Sequence, residues 1–210
     1  MTPEQHLARA DPALGAFIKR VGTLKPRKPE HKELCAALIS AVAHQQLHGK
    51  AADAILGRLK AMAGGEMPAP AALLALSEEG LRGCGFSGPK IRSLRDIAAK
   101  AAEGHVPPRA RALRLSDEEL IERLTSIRGV GRWTVEMLLI FTLRRPDVLP
   151  VDDFGVREGY RVLHRLPEQP KPKALALLGQ AYAPHRSLAS LYLWRAADLA
   201  KPENVKAKAG

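Results

Sequence analysis

The chain has 210 residues, 46% of them hydrophobic, which suits one sizeable core or two small lobes and excludes disorder throughout. Its 33 Lys and Arg against 22 Asp and Glu leave a formal net charge of +11; a polyanion, nucleic acid first, is the leading partner on charge, although composition alone leaves an indifferent basic surface equally open. Cys35 and Cys84 are too few for a disulfide scaffold or a four-cysteine zinc or iron–sulfur site and read as reduced packing residues. No apolar run reaches bilayer length and the first residues lack the order of a secretory signal, so no membrane partner and a cytoplasmic location, with the nucleoid if bacterial, are expected.

Apolar residues recur at helical spacing almost everywhere, which predicts an all-α protein. Asp11 caps a first helix carrying Leu14, Phe17, Ile18 and Val21, with Pro12 at its permitted first position. After the breaker "LKPRKPE", residues 31–62 read as two helices parted at "HQQLHGK", with Gly49 as the boundary. A short helix over 71–76 follows, then a turn capped by Ser77. Ser87 and Pro89 open a helix with Ile91, Leu94, Ile97 and Ala98 on one face. Beyond Pro107 and Pro108, "SDEELIERL" has a Ser cap, acids in the first turn and Glu119 placed for a capping box. A helix starting at Asp152 or Asp153 and two more complete the fold, and residues 201–210 form a polar tail.

Between two of these helices stands "LTSIRGVGRWTVEML", a helix end, a turn with Gly129 and Gly131, and a new helix from about Arg132. Glycines there permit unusual backbone angles and close approach of a phosphate to amides at a helix N-terminus. A plain tight turn between core helices is the competing reading, and G-x-G by itself favours it. Two carboxylates, Asp152 and Asp153, stand just past the apolar run, and Asp153 lies 20 positions after Trp133.

"IRGVGRWT" followed by "LPVDDFGVR" resembles the helix-hairpin-helix superfamily of DNA glycosylases, and most of all its 3-methyladenine DNA glycosylase II branch. "AVAHQQLHGKAA", "GFSGPKIRSLRDIA" and "APHRSLASLYLW" are similar to three further elements of that branch, in the same order, and the four together extend from Val42 to Trp194. The resemblance implies a single domain over 1–200 with two helical lobes, residues 35–115 in one and 1–30 with 116–200 in the other, and an active-site cleft between them. It also implies a compact form without the mixed α/β domain that precedes the helical core in better-known members.

The activity so implied is excision of alkylated bases, of the 3-methyladenine and 7-methylguanine type, from duplex DNA by base flipping in base excision repair, by a monomer. Asp153 is the implied catalytic carboxylate, with Asp152 left as an N-cap or a structural hydrogen-bond acceptor. Trp133, Met137 and His185 line the base pocket, with Met137 and His185 departing from the aromatics familiar there; core packing is an equal alternative for Trp133. Arg128, Gly129, Val130, Gly131 and Arg132, within the hairpin 125–133, hold the DNA backbone, Gln46 or Leu47 is the wedge that fills the vacated stack, and Lys50, Lys90 and Arg186 are phosphate contacts. Backbone carbonyls of Thr125, Ile127 and Gly129 would hold a structural Na+ or K+, and no other cofactor or iron–sulfur cluster is implied. Trp133 stands where the bifunctional relatives keep a lysine, so no Schiff base and no lyase step are expected. Two alternatives are a non-enzymatic DNA-binding module and a glycosylase for oxidised, mismatched or deaminated bases.

Overall fold

A computed structural model describes residues 1–26 and 28–201 of the chain; the expected polar tail lies outside the described residues beyond Lys201. The described residues form helices joined by short loops, without a strand. In chain order these are α1 Pro3–Ala10, α2 Pro12–Val21, α3 Leu34–His44, α4 Gly49–Met62, α5 Pro70–Ala75, α6 Glu78–Gly83, α7 Gly88–Ala102, α8 Arg109–Ala112, α9 Asp117–Thr125, α10 Arg132–Met137, α11 Phe154–His164, α12 Pro172–Leu178 and α13 Arg186–Leu199.

Two compact units divide the chain. One is Lys28–Leu143, and the other is built from the described residues before and after it. The hairpin between α9 and α10 therefore packs with the segment 35–115, where the sequence reading had grouped everything from 116 onward with the N-terminal helix. The reason is covalent and local: α10 continues without a break into a π-helical turn, Leu138–Leu143, which packs against α3.

In the unit Lys28–Leu143, α3 is apolar on nearly every side and buries Leu34, Leu38, Ile39, Val42 and Ala43. It packs against α4 and α7, whose inward residues include Leu56, Leu59, Leu94 and Ile97. The periodicity predicted this face of α7 residue for residue. Ser116 accepts from the Glu119 amide while the Glu119 side chain returns to the Ser116 amide at 2.7 Å, the expected capping box of α9. Ser77 caps α6 through the Gly80 amide, whereas Ser87 stands at the N-cap of α7 with no side-chain hydrogen bond. Cys35 is partly buried and Cys84 buried, both free; burial pushes the Cys35 thiol up to about 11, so neither is a thiolate at neutral pH.

In the other unit the core is Leu7, Leu14, Phe17, Val156, Tyr160, Leu175, Tyr182, Tyr192 and Leu193. Its first helix, α1, has a capping box of Thr2 and Gln5 with Pro3 at N1, a signature present in "TPEQ" that the sequence reading passed over. Asp11 caps α2 as predicted, through Oδ1 to the amides of Ala13 and Leu14, and its Oδ2 accepts from the Tyr182 hydroxyl at 2.6 Å and from His164 Nε2 at 3.0 Å. Helices α11 and α13 cross so closely that a Cβ on Gly159 would collide with the Leu193 backbone.

Candidate functional site

The hairpin begins where α9 ends at Thr125. Gly129 takes φ 76, a conformation that favours glycine, and a Cβ there would stand 2.5 Å from Ser93 Oγ, which would have to turn aside. Val130 is buried and closes the turn with its amide on the Ile127 carbonyl at 3.1 Å, while Arg128, Gly129 and Gly131 are exposed. Gly131 is the N-cap of α10, and no side-chain hydrogen bond closes that helix end. From below, α7 braces the turn: Asp96 Oδ2 accepts the Arg128 amide at 2.6 Å, and Lys100 Nζ donates to the Ser126 carbonyl.

Beside this turn lies an open groove of about 800 Å³, lined by Arg92, Arg95, Asp96, Ser126 and Arg128 among others. Arg95 is engaged by the carbonyls of Leu74 and Leu76, which leaves Arg92 and Arg128 as its exposed cations. Arg132, expected to grip phosphate, instead bridges Glu118 at 3.2 Å and the buried Glu136 at 3.1 Å. Two carboxylates offset its charge, and its guanidinium ties the start of α10 to Glu118 and Glu136.

The turn after α3 is held from several sides. His44 Nδ1 bonds the Ser40 carbonyl at 2.9 Å and Nε2 faces Asp53 Oδ1 at 3.2 Å. Gln45 donates from its side chain to the Gly129 carbonyl at 2.9 Å. Lys90 was expected on a phosphate; its ammonium instead donates to the carbonyls of Ala43 and Gln45, both at 2.8 Å, where α3 ends and a cation is favoured by the helix dipole. Burial holds the Lys90 pKa below the ordinary lysine value. Next to these, Gln46 is exposed with φ 58, and Leu47 is 40% exposed, so both wedge candidates project from a braced turn. Lys50 is exposed in the first turn of α4.

Gly129's engagement with Gln45 also bears on the expected cation. The Gly129 carbonyl accepts from the Gln45 side chain and the Ile127 carbonyl from the Val130 amide, each through one of its two lone pairs, so an ion shared with Thr125 would bind beside these hydrogen bonds.

In the unit that carries α11, the roles of the acid pair are redistributed. Asp152 is exposed, and the N-cap of α11 is Asp153, whose Oδ1 accepts the Val156 amide at 2.8 Å. The N-cap role predicted for Asp152 is therefore wrong: the helix begins one residue later, at Phe154. The same Oδ1 accepts from Trp194 Nε1 at 2.8 Å. Trp194 was quoted in the "YLW" motif but assigned no role; a Trp on a helix apolar on several faces looks like core until its partner, 41 positions away, is located.

Arg186, a predicted phosphate contact, is held by Asp147 in a two-pronged pair, Nε to Oδ1 and Nη2 to Oδ2, each at 2.8 Å, so its guanidinium fastens the loop before α11. Hydrogen bonding from Arg186 holds the Asp147 carboxyl below the usual carboxylate range. His185 is half-buried at the start of α13, with its ring edge-on to His6 at 5.3 Å between centroids. Trp133 is 49% exposed at the start of α10, which removes the core-packing reading, and Met137 is half-buried at the helix end. Trp133 and Met137 belong to the unit with the hairpin, Asp153 and His185 to the other.

The sequence matches the pattern of the HhH-GPD superfamily base excision DNA repair proteins over residues 39–184. It is 48% identical over 208 residues, 97% of this chain and 91% of the relative, to DNA-3-methyladenine glycosylase 1 of Schizosaccharomyces pombe. Among solved structures, a 3-methyladenine DNA glycosylase of S. pombe in complex with abasic DNA superposes with a TM-score of 0.85 at 47% identity, covering 95% of this chain and 98% of that one. A DNA-3-methyladenine glycosidase of Bacillus halodurans also gives 0.85, at 36% identity over 93% of this chain and 89% of that one.

Proposed function

The chain belongs to the HhH-GPD superfamily of base excision DNA repair proteins, and we propose that it is a monofunctional DNA glycosylase releasing alkylated bases, of the 3-methyladenine and 7-methylguanine type, from duplex DNA. The observation that carries this reading is the carboxylate of Asp153, half-buried at the first turn of α11 and anchored through Oδ1 by a backbone amide and an indole.

Breaking the bond between base and deoxyribose develops positive charge on the sugar. A carboxylate fixed close to that carbon stabilises the charge without reorganising as it forms, and can take a proton from the attacking water. The reacting nucleotide must first leave the stack. Their exposure on a braced turn supports Gln46 or Leu47 as the residue that fills the gap. The amides at the uncapped end of α10 suit a phosphate, with Arg92 and Arg128 adding charge beside the turn and Lys50 a further contact from α4. Ring-nitrogen alkylation makes many purines cationic, so an exposed aromatic face such as Trp133 favours them over normal bases through cation–π attraction. With tryptophan where a lysine would form a Schiff base, the product is an abasic site and an intact strand.

The test is release of methylated bases from alkylated duplex DNA. The wild type is expected to release them without cutting the strand, and Asp153→Asn to be slower by roughly a hundredfold or more. Undiminished release by Asp153→Asn would remove Asp153 from the mechanism; tight binding to abasic duplex with no release by the wild type would leave a DNA-binding module.

A further inference from the structure

We propose that Gly155 is a positioning residue for Asp153 and acts through Trp194; the proposal rests on the glycosylase reading of Asp153. Two glycines of α11 face α13, and they differ in what a side chain would meet. At Gly159 the obstruction is the Leu193 backbone, which makes that glycine a requirement of helix packing. At Gly155 no backbone stands in the way. A Cβ there would lie 2.8 Å from Trp194 Cδ1, 3.3 Å from Trp194 Nε1 and 3.2 Å from Asp153 Oδ1. These atoms belong to or adjoin the hydrogen bond from Trp194 Nε1 to Asp153 Oδ1, itself 2.8 Å long. The missing methyl group is the space in which the edge of the indole reaches the carboxylate.

The backbone does not require glycine here. Gly155 sits in the first turn of α11 and does not appear among the residues with positive φ, so alanine fits the conformation and improves helix propensity by about 0.5–1 kcal/mol. Stability and activity are therefore expected to move in different directions. With Oδ1 held by both the Val156 amide and the indole, rotation of the carboxylate is stopped and the bearing of its second oxygen is set. A Cβ at 155 pushes the indole edge away from Oδ1 and leaves the Val156 amide bond in place, with no effect on the hairpin.

The experiment is a double-substitution cycle of Gly155→Ala and Trp194→Phe, read by single-turnover excision of 7-methylguanine from a defined duplex, with affinity for abasic duplex and thermal midpoint measured alongside. Gly155→Ala is expected to slow excision roughly ten- to hundredfold, to leave abasic-DNA affinity unchanged and not to lower the midpoint. In the Trp194→Phe background, where the indole N–H and its bond to Asp153 are already absent, the same change is expected to cost little further rate. Excision at the wild-type rate, an equal fold-loss in both backgrounds, or a loss that tracks a fall in midpoint overturns the proposal. If the wild type itself releases no base, the glycosylase reading fails, and the positioning claim is judged by the Trp194 indole N–H resonance alone: a shift and faster solvent exchange in Gly155→Ala sustain it, and an unchanged resonance overturns it.

Discussion

The side-chain amide of Gln45 donates to the carbonyl of Gly129 at 2.9 Å, which joins the turn after α3 to the hairpin between α9 and α10 across 84 residues of sequence. The residue after Gln45 is the exposed, left-handed Gln46, so the same bond orients a wedge candidate relative to the hairpin. Replacing Gln45 by Ala removes one hydrogen bond at the surface, about 0.5–1.5 kcal/mol. Affinity for duplex DNA with an abasic site is expected to fall about two- to tenfold by fluorescence anisotropy, with the thermal midpoint little changed. An unchanged affinity would mean that the two turns act independently.

Asp147 and Arg186 form the two-pronged pair that fastens the loop before α11. Because Arg186 lowers the Asp147 pKa in the folded state, the unfolded chain binds the proton more readily. The pair's contribution is thus fully present above the unfolded carboxylate value of about 4 and is lost as pH falls through the lower folded value. Both side chains are about a third exposed, so solvent screening limits the contribution to about 1 kcal/mol. Asp147→Asn is expected to lower urea stability at pH 7 by that order, and the gap from wild type to close on acidification below pH 4. A gap independent of pH would refute the assignment.

Gly159→Ala places a Cβ against the Leu193 backbone, where no rotamer change relieves the overlap. A destabilisation of about 3 kcal/mol or more is expected, from the upper end of overpacking costs. Chemical denaturation should show it in the midpoint, and a loss below about 1 kcal/mol would mean that α11 and α13 separate easily.

Burial, the hydrogen bond to Asp11 and its charge drive the Tyr182 hydroxyl well above the ordinary tyrosine range, and burial also raises Tyr160 and Tyr192. These are all 3 tyrosines of the chain. An acid whose folded pKa is raised keeps its proton when the unfolded chain has lost it, so its contribution is complete below about pH 10 and declines as pH rises beyond that value. Absorbance of tyrosinate near 295 nm is expected to appear only together with unfolding, as followed by circular dichroism. Ionisation of all 3 tyrosines near pH 10 in the still folded protein would contradict the buried Asp11–Tyr182 bond.

Legibility in the sequence followed the range of the interactions. The caps at Asp11, Ser77 and Ser116 and the buried face of α7 were readable because each depends on groups within a few residues. The motif order pointed to the family, and the glycines marked the turn. Charge was read less well. Lys90, Arg132 and Arg186 looked like three hands for a phosphate, but each found protein acceptors instead: carbonyls at the end of α3, Glu118 with Glu136, and Asp147. A cation near an acceptor satisfies it at short range, and no spacing rule in the sequence says where that acceptor comes to rest.

By itself, then, the sequence determined an all-helical basic protein, where most of its helices start, and an acid pair beyond a glycine hairpin, because backbone hydrogen bonds and side-chain periodicity are local. Only the tertiary structure decided which acid caps α11, which arginines remain exposed, and that Trp194 reaches Asp153 past the bare face of Gly155. Those outcomes depend on the crossing of helices distant along the chain, where the presence or absence of one methyl group determines which polar atoms meet.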